Sequence, residues 1–204
     1  TITFGTEYAF TAVAISTPFG YALDSTHFVI AYRDDSTSTG KSVIGVISNG
    51  DDITFGTIYQ FTTNNINAIS VASLDSTHFV ISCRDTTNDD GYSIVGVVSN
   101  GDDIAYGSLY TYEATTVTTY SFCSKLDATH FVIAYVNGTP IGTSVIGTVS
   151  NGDDITFGDN YTFNNANTAY IGVVGISATV FAVVYADTGD GDDGTVIIGV
   201  LPPD

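Results

Sequence analysis

The chain has 204 residues, of which 44% are hydrophobic, and this is enough to form one buried core. Twenty-two Asp and Glu residues against four Lys and Arg give a net charge of −18, which argues against nucleic acid and anionic membranes as partners because both would be repelled. No apolar run approaches the roughly 20 residues of a membrane span, so membrane insertion is not expected.

Two sequence markers recur along the chain with a period of about 51 residues. The first is Ile2-Thr3-Phe4-Gly5, and its copies begin at Ile53, Ile104 and Ile155. The second is the stretch L-D-S-T-H-F-V-I, which begins at Leu23, Leu74, Leu126 (with Ala for Ser) and, in a degenerate copy, Ile176. A fixed period of this length predicts one supersecondary unit that is repeated four times.

Each repeat divides into four strand-like runs, which in the second repeat are predicted at 69–74, 78–84, 92–99 and 103–112. Asn-Gly between apolar runs predicts a tight hairpin, because both residues tolerate positive φ. This dipeptide occurs at Asn49-Gly50, Asn100-Gly101 and Asn151-Gly152. Runs that are apolar on successive residues, such as Phe28-Val29-Ile30, indicate strands that are covered on both faces.

Four antiparallel strands that are buried on both faces and repeated radially are typical of a propeller blade. We therefore predict an all-β, four-bladed β-propeller that forms one domain over residues 1–204, with repeats at 12–62, 63–113, 114–164 and 165–204 plus 1–11. The N-terminal strand is predicted to close the last blade, which removes an open sheet edge. The alternatives are a β-helix, a half-ring that dimerises and a fragment of a larger propeller.

One rim of this propeller would carry an Asp and a His from each of three repeats. The pairs are Asp24 and His27, Asp75 and His78, and Asp127 and His130. These residue types are metal ligands, but each repeat supplies only one His and blades point away from the axis. We predict instead that the Asp caps the turn and the His bonds beside it. The fourth repeat has lost both, to Ser177 and Val180.

The opposite rim carries the loops that vary most between repeats, which is where a rigid scaffold usually places recognition. Two of the four cationic residues precede an Asp at the same place in these loops, and an Arg fork suits a carboxylate or sugar hydroxyls. The alternative is an Arg–Asp pair that only pins the loop. The predicted ligand-binding residues are Arg33, Asp34, Arg84, Asp85, Asn137 and Asp187.

The loop of the fourth repeat adds a candidate Ca²⁺ site. Its predicted metal ligands are Asp187, Asp190, Asp192 and Asp193, which alternate with glycines that allow tight curvature. The spacing does not match an EF-hand, and a solvated acidic loop is the alternative reading. No other cofactor is predicted.

Catalytic motifs are not found. The sequence contains no G-x-S-x-G elbow, no H-E-x-x-H helix motif and no P-loop. Its paired carboxylates recur with the repeat, whereas a catalytic pair should break the symmetry. The sequence therefore predicts that the chain is not an enzyme.

The units built from D-S-T-H-F-V-I-x-Y-R-D, S-V-I-G-V-I-S-N-G-D-D and I-T-F-G resemble tandem propeller repeats of secreted, cell-surface or phage-structural proteins of aquatic microbes. The resemblance covers essentially the whole chain. It implies a non-catalytic binding or adhesion role and an extracellular location.

From these features we predict a non-enzymatic recognition module whose partner is carbohydrate or another surface polymer. The alternative is a structural building block of a virion, filament or surface layer, whose partners are copies of itself. An exposed apolar patch would favour this alternative.

Overall fold

A computed structural model describes residues 2–202, apart from the side chains of residues 118 and 119. Seventeen strands form three sheets, and every strand pair is antiparallel. Between residues 2 and 202 no residue lies in a helix, so this part of the chain offers no helix that could span a membrane. The prediction of an all-β chain is confirmed.

The strands follow one another in sequence through the three sheets. The first sheet contains β1 (Ile15–Ala22), β2 (His27–Asp34), β3 (Thr39–Ser48), β4 (Asp52–Phe55) and β5 (Tyr59–Thr62). The second contains β6 (Ile66–Ser73), β7 (His78–Asp85), β8 (Gly91–Ser99), β9 (Asp103–Tyr106) and β10 (Tyr110–Glu113). The third contains β11 (Val117–Lys125), β12 (His130–Asn137), β13 (Ile141–Ser150), β14 (Asp154–Phe157), β15 (Tyr161–Ser177), β16 (Val180–Asp187) and β17 (Asp193–Val200).

The same pairing pattern occurs three times in full, and a fourth group of strands shows its first two pairings. Strands pair in sequence order, and the third strand also pairs with the strand after the fourth, as β3 does with β4 and β5. The long strand β15 belongs to two patterns, because its first half pairs with β13 and its second half with β16. We call the four groups units: β1–β5, β6–β10, β11–β14 with the first half of β15, and the second half of β15 with β16 and β17.

The predicted Asn-Gly hairpins join the third and fourth strands of the first three units. Asn100 and Gly101 have φ angles of 51° and 92°, and the other two turns have nearly the same values. Positive φ at both central residues is what a type I′ turn requires. The sequence signal for these hairpins is confirmed.

Each unit has two faces, and the forward face of one unit packs on the rear face of the next. The forward face of unit 1 contributes Val29, Ala31 and Ile44 to a cluster that contains Val71, Phe79 and Ile81 from the rear face of unit 2. Units 2 and 3 share a second cluster of this kind, and units 3 and 4 share a third. The runs of successive apolar residues are explained because both faces of the middle units are buried.

The forward face of unit 4 is not covered. Its side chains at Val184, Val196 and Ile198 are 49%, 62% and 53% exposed. The predicted closure of the last blade by the N-terminal strand is therefore wrong for this structure: residues 2–9 are not in a strand, and the third sheet ends at β17. The N-terminal run is instead held on unit 1, where Tyr8 donates to Asp52 at 3.1 Å and Phe10 packs on Tyr32 with ring centroids 5.3 Å apart.

Candidate functional site

Four of the predicted ligand-binding residues hold their own loops in shape. At the equivalent position of each unit, a side-chain oxygen accepts a hydrogen bond from the backbone N–H two residues later, which is an Asx turn. These residues are Asp34 (2.9 Å from Ser36 N), Asp85 (2.8 Å from Thr87 N), Asn137 (3.1 Å from Thr139 N) and Asp187 (3.1 Å from Gly189 N). A ligand that used these oxygens would compete with the turns.

The two predicted arginines are also paired within their loops. Arg33 donates to Asp35 at 2.9 Å and to Ser38 at 2.8 Å, and Arg84 donates to Asp89. Neither arginine pairs with the Asp that follows it in sequence. The geometry matches an Arg–Asp pair that pins the loop, and ligand binding by either guanidinium stays a prediction.

Asp34 is buried and has a different cationic partner. Its carboxylate lies 2.5 Å from Lys41 Nζ, and this bond is the main cause that lowers the pKa of Asp34 to about 2. Two of the four Lys and Arg residues of the chain, Arg33 and Lys41, are thus used to fix one loop of unit 1.

The acidic loop of unit 4 does not gather its carboxylates. Across residues 2–202 no group of three or more His, Cys, Asp or Glu side chains is arranged to hold a metal ion, and the predicted ligands Asp187, Asp190, Asp192 and Asp193 fall within this range. An ion would have to draw the loop together on binding.

Calcium binding at this loop stays a prediction with a direct test. A site-bound ion stabilises the fold according to the ratio of its concentration to its dissociation constant, whereas screening depends only on ionic strength. If the loop binds, millimolar Ca²⁺ raises the melting temperature more than NaCl of equal ionic strength does, EDTA reverses the gain, and Asp190→Asn with Asp192→Asn abolishes it. Identical melting curves in all three buffers would show solvated turn residues.

The three Asp–His pairs on the other rim have the predicted turn geometry. Asp24 Oδ1 accepts the backbone N–H groups of Thr26 at 2.7 Å and of His27 at 2.8 Å, and His27 Nδ1 lies 3.0 Å from the same carboxylate. These bonds, led by the one from Thr26, hold the pKa of Asp24 well below its usual range. The pairs at Asp75 and Asp127 repeat this arrangement.

The structure adds a groove that sequence reasoning did not find. Between units 1 and 2, the Asp24–His27 turn faces Thr77 and the Asn100–Gly101 turn across a space of about 400 Å³. His27 Nε2 points towards Gly101 and would lie 3.9 Å from a β-carbon there. No local signal could have revealed this groove, because its two sides come from different repeats and meet only when the units stack.

The chemistry of the groove is that of a small polar recognition site. When His27 donates its Nδ1–H to Asp24, the neutral ring keeps Nε2 as an acceptor. Asn100 supplies a carbonyl acceptor and the second N–H of its amide, because the first is donated to Asp103 at 3.1 Å. Thr77 supplies only acceptor lone pairs, because its hydroxyl is donated to Asp75 at 2.9 Å. These are the groups that can bind hydroxyls of a ligand.

No protein-family model matches the sequence, and no curated protein matches it. Among solved structures the chain is similar to a prolyl endopeptidase, with 14% identity, a TM-score of 0.51 and coverage of 94% of this chain and 28% of that one. It is also similar to a Hadza microbial sialidase, with 9% identity, a TM-score of 0.52 and coverage of 91% and 44%. The fold is propeller-like. The chain spans less than half the length of either structure.

These likenesses correct one prediction. The sequence predicted that the chain is not an enzyme, but both of these structures with a propeller-like fold belong to enzymes. The lack of a familiar motif was a weak basis for that exclusion, because catalytic groups on a shared fold can come from residues far apart in sequence. At identities this low the likeness establishes the fold alone.

Proposed function

We propose that the four units are four blades of a propeller and that the chain acts outside the cell by recognising carbohydrate or another hydroxyl-rich surface polymer. The observation that carries this proposal is the groove between units 1 and 2, where His27 Nε2, the Asn100 side-chain amide and the Thr77 hydroxyl lie side by side and Asp24 fixes the His27 ring. The likeness to a sialidase supports a carbohydrate-related role for the fold. The rim of the Asp–His turns thus replaces the opposite rim as the preferred recognition surface.

Charge restricts the class of carbohydrate. With a net charge of −18 and only four Lys and Arg residues, the chain repels sulfated or carboxylated polymers over several ångströms of solution. Three of those four cations bond within the chain to Asp35, Asp34 or Asp89. The preferred ligand is therefore a neutral or amino-bearing polymer.

His27→Ala tests the groove against a matched control in the same chain. His130 makes the same bonds to Asp127 as His27 makes to Asp24, but unit 4 has no Asn-Gly turn to face it. We expect His27→Ala and Asn100→Gly each to weaken binding to a neutral polysaccharide by about five- to thirtyfold, because each removes a hydrogen bond of about 1–2 kcal/mol. Glycine is chosen at residue 100 because it tolerates the positive φ of the turn. His130→Ala should leave affinity unchanged while costing similar stability.

Binding is measured on an array of neutral, amino-bearing and acidic glycans, followed by calorimetry on the strongest ligand. Equal losses in the His27 and His130 variants would show that the groove is not the site. A loss with Arg84→Ala alone would return recognition to the opposite rim. Silence across the array would favour the second candidate function.

That second candidate is a structural building block, and the uncovered forward face of unit 4 favours it. Isolated soluble domains rarely expose a contiguous apolar sheet face, and such faces usually mark contacts with other proteins. Filament or lattice formation visible by electron microscopy, together with no glycan binding, would support this role.

A further inference from the structure

An apolar slot of about 260 Å³ lies between units 3 and 4. Two aromatic rings, Phe163 and Phe181, stand on its walls, and the floor is formed by the strand that carries Gly199. Its remaining apolar lining includes Val145, Val183 and Leu201. A slot of this size and chemistry suits one aromatic side chain.

In each of the first three units, the equivalent slot is filled by the aromatic residue of that unit's I-T-F-G marker. Phe55 packs on Phe10 and Phe28, with ring centroids 6.1 and 6.3 Å away. In the next two units the filling residue is Tyr106, which packs on Phe61 and Phe79, and Phe157, which packs on Tyr112 and Phe131. Phe163 and Phe181 are the next pair in this series.

The residue that would complete the series is Phe4. It occupies the marker position held by Phe55, Tyr106 and Phe157, yet its side chain is 94% exposed. Ile2, which corresponds to the buried Ile104 and Ile155, is 83% exposed. The slot between units 3 and 4 is therefore empty, and the Ile2–Gly5 segment, whose copies fill the equivalent slots, is exposed.

Residues 2–10 already lie where the strand after the fourth, β5 or β10, contacts the unit that follows it. Tyr8 donates to Asp52 at 3.1 Å, and the equivalent bonds are Tyr59 to Asp103 at 2.9 Å and Tyr110 to Asp154 at 2.8 Å. The run is thus docked on the rear side of unit 1 as if a preceding unit were present. Among the described residues, no strand pairs with this run on the rear side of unit 1.

The forward face of unit 4 is more apolar than its buried counterparts. The position of Val184 holds Ala31, Ser82 and Ala134 in the other units, and the position of Val196 holds Ser42, Ser93 and Ser144. Larger apolar residues on a face exposed to solvent would lower solubility without a gain in stability. The substitutions are consistent with a face that is covered in the working protein.

We propose that a second copy of this chain covers it: the Ile2–Gly5 segment of one copy pairs with β17 of the other, and Phe4 fills the slot between Phe163 and Phe181. Residues 2–9 do not pair with β17 of the same chain in this structure, whereas a second copy can dock onto the stacked units as they stand. The contact is head-to-tail, and such contacts either close a ring of copies or continue as a filament. This inference is independent of the glycan proposal.

Register defines the cross-link that tests the contact. Thr54 pairs with Val46, Ala105 with Val97, and Thr156 with Thr148, so Thr3 should pair with Val200 of the second copy. Directly opposed strand residues have the Cα separation that a disulfide needs. The native Cys83 and Cys123 are buried and not in a disulfide, and burial raises the pKa of Cys83 to about 12, so neither interferes.

The expected result is a disulfide-linked two-chain species when Thr3→Cys and Val200→Cys proteins are mixed under mild oxidation. Neither variant alone, nor Thr3→Cys mixed with the exposed-turn control Ser25→Cys, should give it. A cross-link that forms only within a single Thr3→Cys/Val200→Cys chain would mean that the ring closes on itself and would overturn the proposal. So would the absence of any cross-link.

Mass in solution gives an independent readout. The unmodified chain should have a light-scattering mass that corresponds to two or more copies of the 21.4 kDa chain. The association should strengthen from low salt to about 0.15 M NaCl, because salt screens the repulsion between the acidic copies. Phe4→Asp should return the mass to that of one chain without unfolding it, because Phe4 touches little in the isolated arc. Ile58→Asp is the control at another exposed apolar residue and should not dissociate the assembly. A monomeric unmodified chain would contradict the proposal.

Discussion

Replacing Gly96 with alanine is expected to lower the free energy of unfolding by about 2–3 kcal/mol, the upper range for overpacking a core. A β-carbon at this position would overlap the ring of Phe79, which is completely buried. The ring cannot move away, because it lies at the junction of units 1 and 2 and packs on Tyr106 with centroids 6.2 Å apart. Urea denaturation followed by circular dichroism measures the loss.

Gly194→Ala is the matched control. Gly194 also lies in a third strand, but a β-carbon there would meet no atom within 4 Å, and its φ is not in the left-handed region. We expect this variant to be neutral or slightly more stable, since alanine loses less entropy than glycine on folding. Equal destabilisation by the two substitutions would show that strand glycines matter here for a reason other than the ring contact.

A double substitution tests whether the cost of Gly96→Ala comes from its contact with the Phe79 ring or from a general loss of packing. Phe79→Leu alone should cost stability because it leaves a cavity. In that background Gly96→Ala should cost much less than in the unmodified chain, because the overlapping ring atoms are gone. Additive effects would contradict a direct contact between Gly96 and Phe79.

This ring-on-glycine contact recurs in all four units and shows what the sequence could predict. Gly45, Gly147 and Gly199 stand under Phe28, Phe131 and Phe181 in the same way. Glycine in the middle of an apolar strand indicates such a close approach by another group. Like the Asn-Gly hairpins and the Asp turn caps, which the sequence predicted, this contact is fixed by residues within one repeat.

Features that depend on several units together were not predictable in the same way. The equivalence of Phe4 and Phe157 predicts which strand would complete the last unit, but in the structure residues 2–9 do not pair with β17. The groove at His27 and Asn100 likewise exists only because two repeats stack. The loop residues Asp34 and Asp85 were assigned to ligand binding because their loops vary; the structure shows both in Asx turns, and ligand binding by either residue stays a prediction.

Lowering the pH below about 4 is expected to reduce the free energy of unfolding by more than Gly96→Ala does, because the Asp turn caps then become protonated. Burial alone would raise the pKa of Asp75, but the hydrogen bonds from Thr77 and His78 outweigh it and lower the pKa to about 2. Asp127 is shifted in the same direction for the same reasons, and Asp24 is lowered by its bonds to Thr26 and His27. Each of these carboxyls has an ordinary pKa of about 3.9 in the unfolded chain.

A carboxyl whose pKa is lower in the folded state stabilises the fold above its unfolded pKa, and this contribution is lost as the pH falls through the folded value. The caps should therefore hold at pH 5 and fail between about pH 4 and pH 2. The melting temperature should therefore change little between pH 7 and pH 5 and fall steeply below about pH 4.

Asp75→Asn isolates the contribution of one cap. The amide oxygen can still accept from Thr77 and His78, but the charge that strengthens these bonds is lost. We expect the melting temperature at pH 7 to fall by roughly 2–4 °C, which corresponds to about 1 kcal/mol in a chain of this size. At pH 2 the difference between the variant and the unmodified chain should be much smaller than at pH 7, because Asp75 is then protonated in the unfolded chain and about half protonated in the folded one. Asp190→Asn, at an exposed position, controls for the change in net charge. If the melting temperature of Asp75→Asn stays below that of the unmodified chain by the same amount from pH 7 to pH 2, the Asp75 carboxylate does not cause the loss of stability in acid.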